Sequence, residues 1–164
     1  MEISTASKRM YGFIVLYDLH TDYFSRAIAG IPDDAAHNRL GTKANHMAWI
    51  TGSLLHQRYE MAKEFGIELH HLAEELFKDN RGIQDDVRYP ALESYKADWE
   101  VISPKLREAL LKVSDQKLDE PFPMPEMQMS NFELISFMIY REANCIGQLA
   151  LWRRLLNFPA LNYM

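Results

Sequence analysis

The chain has 164 residues, is 48% hydrophobic and one-quarter charged, and carries a formal net charge of −5. That length and apolar content suit one compact domain spanning 1–164, and the mixed charge argues against disorder. The acidic balance excludes the basic face that nucleic-acid phosphates reward. No apolar run approaches the roughly 18 to 20 residues of a membrane span, and Phe13–Tyr17 is cut short by Asp18, so no secretory signal is read either. Cys145 is the single cysteine, which rules out an intrachain disulfide and favours a reducing, cytoplasmic setting.

Met10, Phe13, Ile14, Tyr17, Phe24, Ala27 and Ile28 recur at helical spacing and predict a first helix from about Lys8 to Ala29. Gly30 and Pro32 supply its exit. A second stripe of Met47, Ile50, Leu54, Arg58, Met61, Ala62 and Phe65 predicts a helix over 43–65, stopped by Gly66. One short extra helix is expected over 70–78. Leu92, Tyr95, Trp99, Ile102, Leu106, Leu110 and Val113 give the three-four repeat of a third long helix, with a kink or break expected where Pro104 removes a backbone donor. The segment 119–129 holds three prolines and reads as an extended connection, with its methionines packing as loop residues or offering a protein-contact surface. Ser130 and Glu133 then form the sequence signature of a capped helix start, and the fourth helix runs to about Asn157. No strand alternation is evident. The fold class is all-α, and four long helices with unequal connections predict a four-helix bundle. The apolar tail 158–164 is expected to dock on its own body or on a partner.

The closing helix contains Tyr140-Arg141-Glu142-Ala143-Asn144-Cys145-Ile146-Gly147-Gln148-Leu149, in which Arg141 and Cys145 share a face one turn apart. This run resembles the C-terminal signature of the DinB/YfiT-like family of metalloenzymes, His-Glu-Ala-x-His-x-Gly-Gln-Leu. The segment from Asn45 to Leu54, with Trp49 and Gly52, is similar to that family's Asn-x-x-x-Trp-x-x-Gly-His-Leu. The resemblance implies a DinB-like bundle, commonly a homodimer, in which three histidines hold a divalent metal such as zinc or nickel. Those three positions are Ser53, Arg141 and Cys145 here, and none is histidine. A guanidinium keeps its proton and cannot ligate a cation, so no metal cofactor is expected.

What remains is a pocket at Ser53, Arg141 and Cys145, with His46, Trp49 and Glu142 as neighbours, expected to take a small polar or anionic ligand. If Arg141 points inward, its charge needs a carboxylate or a bound anion, and Asp18 or Asp22 is the expected acid. Cys145 beside Arg141 invites a nucleophile reading, but no histidine base accompanies it in sequence, and a small interior residue is the simpler one. His46 is expected as a hydrogen-bonded packing residue, and His20, His37 and His56 as surface or capping residues. Arg153 and Arg154 complement the dipole of the last helix. The alternative function implied by the resemblance is a thiol-dependent transferase or isomerase using a relocated metal.

Overall fold

In the computed structural model, residues 3–124 and 127–164 are described. Among the described residues, seven α-helices and one pair of short strands follow one another: α1 Tyr11–Ile28, α2 Asp33–Ala36, α3 Met47–Glu64, α4 Glu74–Phe77, α5 Leu92–Lys112, α6 Asp115–Asp119, β1 Pro121–Met124, β2 Met127–Ser130 and α7 Asn131–Leu155. The four long helices pack in a closed cycle, α1 on α7, α7 on α3, α3 on α5 and α5 on α1. Among the described residues, no helix is long and apolar enough to cross a membrane.

Local chemistry fixes where the helices begin and end. Ser130 and Glu133 form the expected capping box: the Ser130 side chain accepts from the Glu133 N–H, and the Glu133 carboxylate accepts from the Ser130 N–H at 2.7 Å. His46 caps α3 by accepting from the Trp49 N–H at 3.1 Å, so α3 starts four residues later than expected and 33–36 forms a helical turn of its own. Gly30 and Gly66 adopt positive φ just beyond the ends of α1 and α3, where a side chain would be strained. α5 runs unbroken through Pro104, correcting the expected break; the Pro104 side chain is exposed. The extra helix shrinks to α4 and a 3-10 turn, Lys78–Asn80.

The proline-rich connection is not merely extended. β1 and β2 pair antiparallel, Phe122 opposite Met129 and Pro121 opposite Ser130. Pro121 and Pro123 have the same parity, so a two-stranded ribbon can turn both missing donors to its open edge. The expectation for the methionines spans Pro125 and Glu126, which lie outside the described residues.

The core is built on aromatic rings. Phe24 and Trp99 stack with centroids 3.8 Å apart, and Tyr17, Tyr59, Tyr89 and Tyr95 are all buried. Gly52, on α3, is where the ring of Phe77 and the hydroxyl of Tyr95 come closer than any Cβ would allow. The tail docks on its own body: Leu161 is buried, and the Tyr23 hydroxyl donates to the Tyr163 carbonyl at 3.0 Å. Arg153 holds this junction rather than only facing the α7 dipole, donating to the carbonyls of Ala27, Ala29 and Pro159 at 3.0, 2.7 and 3.0 Å.

Candidate functional site: a cleft between α3 and α7

Adjacent residues on a helix point about 100° apart, so Arg141 and Glu142 leave α7 in different directions. Glu142 enters the core. It is fully buried and meets Arg58 of α3, also fully buried, through two hydrogen bonds, Nε to Oε1 at 2.6 Å and Nη2 to Oε2 at 2.9 Å. Arg58 Nη1 donates to Ser103 Oγ of α5 and Thr21 Oγ1 of α1, at 2.7 and 2.9 Å. The guanidinium lies over the rings of Trp99 and Tyr17, 3.5 and 4.0 Å from their centroids. His20 Nδ1 completes the set, 3.2 Å from Glu142 Oε2. Burial alone would raise the Glu142 carboxyl, but Arg58 over-compensates and, with His20, holds it below the ordinary carboxylate range. His20 is therefore a core residue, correcting its surface reading, and Glu142 belongs to the interior and not to the pocket.

Arg141 turns to α3. Its Nη2 donates to Ser53 Oγ at 2.7 Å, and its Nη1 to Gln57 Oε1 at 2.5 Å and to the Ser53 carbonyl at 3.4 Å. The acids expected for it are engaged elsewhere, Asp18 with Arg107 at 2.6 and 2.8 Å and Asp22 with Arg26 at 2.6 Å. Among the described residues Arg141 has no carboxylate within ion-pair distance.

Arg141 and Ser53 line a cleft of about 460 Å³ between α3 and α7, roofed by the Phe77–Arg81 segment and by Phe122 of β1. This is the size of an ordinary small-molecule site. Trp49, Ser53, His56, Gln57, Glu60 and Glu64 recur at helical spacing and form the α3 wall. Trp49 brings an indole Nε1–H that is buried without a partner among the described residues. Cys145 is not in the lining; it lies buried one turn further along α7, where burial raises its thiol against the opposing pull of Arg141. The thiolate needed for nucleophilic work is disfavoured there. His46, the α3 cap, lies instead beside a separate cleft of about 380 Å³, in ring contact with His37 and Tyr89.

His56 is the cleft residue that sequence reasoning placed at the surface. It is half-buried, lies against the Phe77 ring, and its Nδ1 is 3.0 Å from Nε2 of buried His71. Burial pushes both imidazoles down, His71 to about 4, so both are neutral at pH 7. His71 reaches the site from the irregular segment before α4, fifteen positions away, and no periodicity links the two. Among the described residues, no three His, Cys, Asp or Glu side chains converge as a metal site. Compared with known proteins, the chain matches no family model and no curated protein.

Proposed function

We propose that the chain is a DinB/YfiT-like four-helix bundle in which Ser53, Arg141 and Cys145 replace the family's metal ligands, and that its α3/α7 cleft binds a small polar or anionic ligand. One observation carries this reading: the Arg141 cation opens onto the cleft with only neutral acceptors, Ser53 and Gln57, holding it. A partly desolvated cation with unfilled capacity favours an anion, and guanidinium geometry suits a carboxylate or phosphate fork. We further propose a cytoplasmic homodimer; the dimer is supported by the exposed apolar residues Leu16 and Leu19 on α1 and Tyr140, Leu151 and Leu155 on α7.

Calorimetric titration with benzoate, 3-phenylpropionate and inorganic phosphate tests the cleft. Saturable binding of at least one anion is expected, weakened roughly 10- to 100-fold in Arg141→Gln, the range for a charge-assisted hydrogen bond. Binding that ignores this substitution would overturn the reading. So would a stoichiometric divalent ion in protein purified without a histidine tag. Light scattering over a concentration series reports the homodimer, and a monomer at every concentration refutes it.

A further inference from the structure

We propose that His56 is the second recognition group of this cleft, donating as a neutral imidazole from Nε2–H, and that the ligand it takes together with Arg141 is a small monocarboxylate with an apolar body. The inference rests on the reading of the cleft as an anion site and adds the ligand class and the donor set.

The tautomer follows from the orphan nitrogen of His71. The two rings share one hydrogen across the 3.0 Å contact between His56 Nδ1 and His71 Nε2. His71 Nδ1 is buried and has no partner among the described residues. If His56 supplied the shared hydrogen, neutral His71 would carry its own on Nδ1, a buried donor with nothing to accept it. If His71 supplies it from Nε2, the orphan is only a bare lone pair, the better tolerated of the two. His56 Nδ1 then accepts, so its hydrogen sits on Nε2, the nitrogen without a protein partner among the described residues. The contact to His71, with the Phe77 ring centred 6.1 Å away, orients this donor before any ligand arrives.

The surrounding charges keep the ring neutral and select the anion. Burial, Lys63 and Arg141 all disfavour imidazolium, against the opposing pull of Glu60 and Glu74. Lys63 is already bound to both of those carboxylates, at 2.7 and 2.8 Å. Three carboxylates, Glu60, Glu64 and Asp79, also line the cleft and outnumber its two cations, Arg81 and Arg141. They penalise a phosphate dianion more than a single carboxylate, which needs only one cation and one neutral donor. Trp49, Phe77, Phe122 and Phe137 supply the wall for an apolar body. His71 acts through His56 and is a positioning residue.

The test uses the full chain with 3-phenylpropionate, phenyl phosphate and 2-phenylethylamine as probes. Long-range ¹⁵N–¹H spectra of the imidazoles at pH 8 should show His56 as the Nε2–H tautomer and His71 likewise. Saturation with 3-phenylpropionate should move the His56 Nε2 resonance, and phenyl phosphate should bind more weakly at pH 8. The amine should not bind. His56→Phe should lose affinity roughly five- to tenfold, as for one neutral hydrogen bond, and His56→Gln should regain part of it. His71→Phe should mix the His56 tautomers, a change that a purely structural role for His71 would not produce. Arg141-dependent binding with an unmoved His56 resonance, or an Nδ1–H tautomer at His56, overturns this inference and leaves the anion cleft standing. No Arg141-dependent binding at all overturns both.

Discussion

Arg58 and Glu142 meet at zero exposure in the centre of the molecule, two parallel hydrogen bonds joining α3 to α7. Every other polar contact of the Arg58 head reaches α1 or α5, so one guanidinium touches all four long helices. A buried pair of this kind adds little net stability over apolar residues of equal volume, but each half depends on the other. Glu142→Ala should therefore lower the unfolding free energy by about 3–5 kcal/mol, and Arg58→Met by a similar amount. The double change Arg58→Met/Glu142→Leu should lose distinctly less than the sum. Urea denaturation of the three proteins measures this, and strict additivity would show that the two charges do not act as a unit.

The same pair sets an acid limit. Glu142 is held below its ordinary value, so its contribution is fully present above about pH 4.5 and is lost as pH falls through its folded-state value. Unfolding free energy plotted against pH should drop steeply below that point, and Glu142→Gln should flatten this limb. An unchanged limb would place the acid sensitivity elsewhere.

Histidines act at higher pH. His46 and His71 are each held down to about 4, first by burial, and then by His37 and His56 respectively. The unfolded chain binds protons on both near pH 6.5, while the folded chain does not, so stability falls as pH drops from about 6.5 towards 4. Unfolding in this window should take up protons, and His71→Leu should remove close to one of them. Proton uptake from calorimetry in buffers of different ionisation enthalpy reads this directly, and an uptake unaltered by His71→Leu would refute it.

Gly52 gives a packing prediction. An alanine there gains roughly 1 kcal/mol of helix propensity but must displace the Phe77 ring and the Tyr95 hydroxyl. Overpacking of this sort costs about 1–3 kcal/mol, so Gly52→Ala should destabilise on balance. It should also perturb the cleft, because Phe77 is part of its roof. Thermal unfolding, with 3-phenylpropionate affinity as a second readout, decides it, and a stabilised variant with intact binding would contradict the packing.

The long helices were legible because each buries a stripe repeating at 3.6 residues, and their ends fall within a few positions of those expected from the stripes. Ser130 and Glu133 announced the start of α7 because a capping box is local in sequence. The β1–β2 hairpin was hidden by its own prolines, which read as a breaker even where an edge strand tolerates them. Arg58 stood in the apolar stripe of α3, and that register was the signal for a buried cation; its partner Glu142 lay too far along the chain to be paired with it by spacing. Ser53 and Arg141 do sit side by side, as a shared pocket requires, yet His56 with His71 could not be found from sequence, since one comes from a helix and the other from an irregular segment. Side chains brought together by a loop leave no period to read.

Arg141 and Glu142 are neighbours along one rigid rod, the first set in the cleft wall and the second keyed into the centre. To swing the cleft cation outward, α7 would have to roll, and rolling it would tear Glu142 from Arg58. The interior lock therefore works as a stop on the wall of the cleft. The side of the cleft that recognises charge therefore stays where the fold has fixed it, with its cation in place before any ligand arrives.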